Sequence, residues 1–169
     1  KSRILKDYHE NSSLLEPLPE FNCRMAQTGA ILIGYRAQYL RGLSQEAARF
    51  HDEFSSDREA LTLQYQTVST VTDPFAGRNT IFSQLLDHQQ SHSRAELESG
   101  QCLSGPHKDD FEACLSGLPV KAFGSQGQTR TAAISLKLAE RELFRRDTGE
   151  EPVLLLDDVL SELDAKRQD

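Results

Sequence analysis

The sequence predicts an α/β chain, with a mostly helical first part carrying a small β component and a second part in which short strands flank another helix. Three patterns carry this. Small and apolar residues recur every three or four positions over 26–54 and again over 80–98. Residues 61–67 alternate between apolar and polar, the period of a half-buried strand. From Gln101 onward, short apolar segments are punctuated by Gly and Pro, and the last of them, "PVLLLDD", is too short for a helix and too unbroken for an exposed strand.

Taken in order, a polar helical opening from Ile4 to Leu15 is separated by Pro17 and Pro19 from the long helix. That helix carries a stripe of Ala26, Ala30, Ile33, Ala37, Leu40, Leu43, Ala47, Phe50 and Phe54. The stripe is rich in alanine and close to a 3.5-residue period, so it should pack against another helix; Gly29 and Gly34 should weaken its first turns. After the strand at 61–67, "TDPFAGRN" breaks the chain, and Thr80 to Glu98 resume a helix with Ile81, Leu85 and Leu97 on one side. His88 and His92, four apart, have no HExxH companion and are read as a solvated face, not a metal site. Phe111 to Leu115 and Leu118 to Phe123, flanking Ser116-Gly117, should form a hairpin. A second helix follows Gly127, with Ala132, Leu136, Ala139 and Leu143 inward, Lys137, Arg141 and Arg145 outward, and Gly149 as C-cap. Val153 to Asp157 should be a strand buried on both faces.

Composition narrows the function classes. The 169 residues are 37% hydrophobic, enough for one ordinary core or a core plus an appended helical element. A net charge of −7 opposes nonspecific attraction to nucleic acid and argues against a stand-alone DNA-binding module, while leaving room for a local basic face. No apolar run approaches the roughly 18 residues of a membrane span and no leader opens the chain, so a cytosolic location is expected. Cys23, Cys102 and Cys114 are few, odd in number and widely spaced, and read as reduced structural thiols. The chain starts at Lys1 and stops within a charged helical pattern at Asp169, so it is expected to be a piece of something longer.

Two segments carry chemistry. In "VLLLDD", Asp157 and Asp158 fall at the carboxyl end of a buried strand, where open α/β sheets place ligands; they would either hold Mg²⁺ and polarise a water or cap the next turn. In "FGSQGQTR", a serine and a glycine just before a helix would expose backbone N–H groups and a hydroxyl at the positive end of the helix dipole, a geometry suited to phosphate. The alternative is plain turn chemistry, with Ser125 as helix cap and Gly124 and Gly127 serving the turn.

The combination of these segments in this order resembles the second half of an ABC-type ATPase head. Ser125-Gln126-Gly127-Gln128 resembles the signature motif, Val153 to Asp157 the Walker B strand, and Ser161-Glu162-Leu163-Asp164 the D-loop. "SGPHKDDF", "FGSQGQTRTAAISLKLAERELF" and "EEPVLLLDDVLSELDAKR" together resemble the RecF family of bacterial, SMC-like ABC ATPases, as do "ILKDYHENSSLL" and "GAILIGYRAQYLRGL" more loosely. Lys108 departs from the arginine usual in that family's GPHRDD segment, losing a bidentate fork; pairing with nearby acids and DNA contact both stay open for this segment.

The resemblance implies a division into a helical arm over 1–100 and the C-terminal part of an ABC/SMC-like P-loop ATPase head over 101–169. It implies ATP and Mg²⁺ as cofactors of the parent protein, with Ser125, Gln126, Gly127 and Gln128 contacting nucleotide in trans across a homodimer. Asp157 would hold Mg²⁺, Asp158 would polarise the attacking water, and Ser161 and Asp164 would lie at the dimer interface. Double-stranded or gapped DNA and the proteins RecR and RecO are the implied partners. The chain contains no GxxxxGK[ST], so the Walker A loop is expected N-terminal to Lys1 and the chain alone is expected to be inactive as an ATPase. Two rivals are another ABC-type head, which as a transporter motor would carry LSGGQ after a helical subdomain, and a non-enzymatic arm module with degenerate motifs.

Overall fold

The computed structural model describes residues 1–55 and 59–155. They form two compact units, each drawn from two stretches: residues 1–38 with 65–110, and residues 39–64 with 111 onward. The fold is mixed and mostly helical. Helix α1 (Ser2–Asp7) leads through a 3-10 turn (Ser12–Leu15) to α2 (Leu18–Ser55), then β1 (Leu61–Gln66), α3 (Arg78–Ser99), a 3-10 turn (Pro106–Lys108), β2 (Asp110–Leu115), β3 (Leu118–Pro119), α4 (Val120–Phe123) and α5 (Gln126–Thr148). The strands form one sheet in the order β1-β2-β3.

The opening segment is not one helix. Asn11 adopts an extended backbone and its side chain accepts from Ser13 N–H, which ends the first helical stretch and starts the 3-10 turn. The long helix begins at Leu18, earlier than the apolar stripe suggests, because Pro19 falls in the first turn, where a missing N–H costs nothing. Gly29 therefore lies well inside α2. A Cβ there would sit 3.1 Å from Leu85 of α3 and 3.2 Å from Pro106, so the glycine lets these elements approach closely.

In the first unit, Ala26, Ala30 and Ile33 of α2 pack with Val68, Val71, Ile81 and Leu85, so the alanine stripe meets α3 and the segment before it. In the second unit the stripe continues through Leu40, Leu43 and Ala47 but then passes to His51 and Ser55, while Phe50 and Phe54 are only partly buried. A straight helix drifts about 20° per heptad against a 3.5-residue repeat, which moves the inward position to i+4. Gly42 lies against this unit's α5, where an added Cβ would meet Leu143 at 3.7 Å.

Strand β1 shows the expected alternation of burial. Ser116 (φ 48°) and Gly117 (φ 84°) turn β2 into β3, with Cys114 opposite Pro119 and Leu115 opposite Leu118. The second arm of that hairpin is only two residues long: Val120 to Phe123, expected as strand, form the single helical turn α4. Pro119, lacking an N–H, ends the ladder and serves as N-cap of that turn. On α5, Thr131, Ala132, Ile134, Ser135, Ala139 and Leu143 are buried, and Gly149 closes it in the left-handed conformation at φ 74°. Leu136 is only partly buried; the neighbouring Ser135 takes the inward place, its hydroxyl bonding back to Thr131 O at 2.8 Å.

Of the buried strand expected over Val153 to Asp157, residues 156 and 157 lie outside the described residues, and Val153 to Leu155 do not form it. Val153 and Leu155 are 87% and 88% exposed and belong to no strand. A strand of this composition needs neighbours on both faces and both edges, and the three-stranded sheet among the described residues supplies none.

Candidate functional site

The segment 123–128 builds a rigid helix start. Gly124 N–H closes α4 on Val120 O at 2.9 Å, and a Cβ at Gly124 would lie 2.6 Å from that oxygen, so only glycine fits. Ser125 is the N-cap of α5 in a complete capping box: Ser125 Oγ accepts from Gln128 N–H at 3.2 Å, and Gln128 Oε1 accepts from Ser125 N–H at 2.7 Å. Thr129 N–H donates to Ser125 O at 2.9 Å. Ser125, Gln126 and Gly127 are exposed.

What is left over matters most. The N–H groups of Gln126 and Gly127 belong to the first helical turn and have no carbonyl four residues back. The Ser125 hydroxyl uses one oxygen lone pair in the cap and keeps its hydrogen for another acceptor. Among the described residues nothing lies within 4 Å of where a Gly127 Cβ would be. Three outward donors at the positive end of a 23-residue helix, with open space beside them, suit the oxygens of a phosphate. The cap expected of Ser125 is therefore present, and donors suited to phosphate are present beside it.

The other expected site residues, Asp157, Asp158, Ser161 and Asp164, lie outside the described residues. Among the described residues no group of three His, Cys, Asp or Glu could hold a metal ion, and no helix is long and apolar enough to cross a membrane.

The basic run of α5 is largely committed to carboxylates. Lys137 pairs with Glu140 at 2.7 Å, Arg141 with Glu151 at 2.9 Å, Arg145 with Glu142 at 2.6 Å, and Arg146 reaches Glu46 at 3.8 Å. The hydrogen bond from Arg145 lowers the Glu142 pKa, and the one to Glu140 raises that of Lys137. These are exposed pairs worth little for stability, and they offset part of the positive charge of this face.

The "SGPHKDD" segment is held by residues that the sequence pattern did not single out. Asp109 accepts from Tyr65 OH at 2.5 Å and Thr67 Oγ1 at 2.8 Å, with Arg36 Nη1 3.5 Å away; Arg36 also donates to Pro106 O. Burial, then the Asp109 hydrogen bond, push the Tyr65 phenol well above its ordinary pKa. Lys108 is exposed and makes no ion pair among the described residues, so the partner of the nearby Asp109 is Arg36 instead. Upstream, Glu96 is buried, its Oε2 lies 2.6 Å from Lys1 Nζ, and its Oε1 accepts from Leu103 and Ser104 N–H at 2.8 and 3.3 Å.

His88 is not on a solvated face. It is 5% exposed, its Nδ1 is 2.8 Å from Ser104 Oγ, and its ring stacks on His92 with centroids 4.0 Å apart. His92 Nδ1 is 2.9 Å from the His88 carbonyl, which only accepts, so that nitrogen carries the proton. Burial, then the neighbouring His92, lower the His88 pKa. The cysteines are free, Cys102 and Cys114 buried and Cys23 half-buried, and burial raises the Cys102 pKa.

No family model matches the chain. Among curated proteins it is similar to the DNA replication and repair protein RecF of Synechococcus sp. (strain JA-2-3B'a(2-13)), 42% identical over 148 residues, covering 88% of this chain and 39% of that protein. The RecF of Acetivibrio thermocellus is 34% identical over 174 residues, covering 100% of this chain and 46% of that protein. Two solved structures share the fold. One is described as the recombination mediator protein RecF-ATPrS in the RecFOR pathway (TM-score 0.87, 35% identity, 98% of this chain and 44% of that chain), the other as RecF-ATP (TM-score 0.85, 36% identity, 99% and 44%). The chain thus spans less than half the length of these relatives.

Proposed function

We propose that this chain, which matches RecF proteins over nearly its whole length in sequence and fold, supplies the arm and the C-terminal head portion of an ATP-dependent DNA repair protein. The observation that carries this reading is Gly127. An exposed glycine in the first turn of a helix adds nothing that alanine would not, and no neighbour among the described residues requires it. A ligand that must approach the backbone closely does explain it, and the donors of Ser125, Gln126 and Gly127 select an anion of the phosphate class.

In this reading ATP lies between two copies of the parent protein, held by the Walker A loop of one and by residues 125–128 of the other, so that nucleotide drives dimerisation. Ser125 donates its hydroxyl hydrogen to a γ-phosphate oxygen, and the N–H groups of Gln126 and Gly127 line the same approach. Gln128 keeps the turn closed. Asp157 would hold Mg²⁺, which when bound offsets phosphate charge, and Asp158 would orient the attacking water; Ser161 and Asp164 would meet the facing copy. An aspartate at 158 is one methylene shorter than the glutamate of transporters, which suits slow hydrolysis and a switch-like role. The chain alone, without GxxxxGK[ST], should not turn over ATP.

Double-stranded or gapped DNA is the proposed substrate of the dimer, RecR and RecO its proposed partners, and the bacterial cytoplasm its proposed location. With the α5 cations paired, DNA contact falls to other surfaces of the parent. The test is sedimentation of the full-length parent with and without ATP, comparing wild type with Ser125→Arg. Dimerisation of the wild type alone is expected, because arginine blocks phosphate approach without touching Walker A. Dimerisation of both, or of neither, would overturn the reading in favour of a plain interaction module.

A further inference from the structure

The capping box of α5 has a third member. The Gln128 side chain bonds Ser125 N–H through Oε1, and its Nε2 donates to Glu59 Oε1 at 2.5 Å. The other carboxylate oxygen of Glu59 faces the buried His51, with Nε2 3.9 Å away. Glu59 stands just before β1, and the next residue, Ala60, accepts Ser116 N–H at 2.8 Å, which ties this stretch to the β2–β3 turn. A carboxylate only accepts, so it takes the amide nitrogen of Gln128 and leaves the amide oxygen for Ser125 N–H. Ser125 N–H and Glu59 thus select the same orientation of the amide from its two sides, and without Glu59 only one of these contacts holds it.

We propose that Glu59 is a positioning residue for the phosphate-receiving turn: by fixing the Gln128 amide it holds the Ser125 cap in register. This rests on the reading of residues 125–128 given above. Glu59 does not touch the phosphate. It acts through Gln128, and a neutral side chain with an acceptor oxygen at position 59 can do the same.

The experiment uses the full-length parent and three variants, Glu59→Ala, Glu59→Gln and Ser125→Arg. Glu59→Ala should raise the ATP concentration for half-maximal dimerisation about tenfold, the loss expected for one charge-assisted hydrogen bond. Nucleotide binding to the monomer should stay unchanged, and Glu59→Gln should restore dimerisation to within about twofold of wild type. A Glu59→Ala variant that dimerises like wild type overturns the proposal. So does one that loses monomer binding in parallel, or a Glu59→Gln as impaired as alanine. Ser125→Arg separates the two readings: if it dimerises normally, the phosphate role fails. The Glu59 contact is then still read from the Gln128 side-chain amide resonances of the present chain, which should shift in Glu59→Ala and return in Glu59→Gln.

Discussion

Residues 104–109 and 123–128 are both glycine-bearing turns, and they differ in where their polar groups go. In the first, the Ser104 hydroxyl meets His88, the Ser104 N–H meets Glu96, the Pro106 carbonyl meets Arg36, and Asp109 holds Tyr65 and Thr67. In the second, the cap uses Ser125 Oγ as an acceptor and Gln128 as a clamp, and leaves the Ser125 hydroxyl hydrogen and two helix N–H groups facing outward. The glycines repeat the contrast. Gly105 sits at φ 124°, a backbone that only glycine adopts freely, and Gly124 has no room for a Cβ. Gly127 meets neither demand. A turn whose bonds close on themselves is explained by folding; one with surplus donors and an unneeded glycine points to a ligand.

The largest effect should come from breaking the closed turn. Glu96→Ala would remove the partner of Lys1 Nζ and of two backbone N–H groups in a site where Glu96 is 2% exposed. Stranding a buried charge together with two donors costs on the order of 3–5 kcal/mol. Chemical denaturation should show that loss as a lower midpoint at an unchanged slope; a shift equivalent to less than about 1 kcal/mol would mean that the turn does not depend on this carboxylate.

Gly124→Ala and Gly127→Ala sharpen the contrast within the second turn. Alanine at 124 places its Cβ 2.6 Å from Val120 O and should destabilise by about 1–3 kcal/mol. Alanine at 127 meets no atom among the described residues and falls in the first turn, where glycine costs less than in a helix interior, so it should be neutral or stabilise by less than about 1 kcal/mol. In the full-length parent the same Gly127→Ala should weaken ATP-driven dimerisation. Gains in both stability and dimerisation would remove Gly127 as the reason to place phosphate here.

Much of the fold was legible because it rests on local periodicity. The β1 alternation, the Ser116-Gly117 turn, the Gly149 cap and the inward faces of α2 and α5 follow from the spacing of side chains. The split of the opening helix at Asn11 and the drift of the α2 stripe to His51 and Ser55 are local effects; the other differences have nonlocal causes. Val120 to Phe123 have strand-like composition, but Pro119 and the tight Gly124 turn leave room for only one helical turn. Val153 and Leu155 are apolar enough for a buried strand, yet the neighbours that would bury them are not among the described residues. Ser125 to Gln128 stood out as a motif, whereas Glu59 did not: it precedes Gln128 by 69 residues, and no spacing rule links a lone glutamate before a strand to a helix cap. Asp109, Arg36 and Tyr65 were hidden in the same way, since a carboxylate in "HKDD" looks solvated until the fold brings a phenol and a guanidinium to it.

His88 offers the smallest effect and the finest test of how closed the first turn is. A helical face of His and Gln reads as solvent-exposed, yet His88 is buried beside Ser104, with His92, Glu96 and Lys1 as its charged or titratable neighbours. Burial and His92 lower its pKa in the folded state, so below the unfolded value of about 6.5 the unfolded chain binds more protons than the native one. Its contribution is therefore fully present above about pH 6.5 and fades as the pH falls toward the folded-state value. Denaturation midpoints should drop between pH 7 and pH 5 in wild type and drop less in His88→Gln, whose amide has no proton to gain. Identical slopes in the two would mean that His88 titrates as though solvated and that the turn above it opens freely to water.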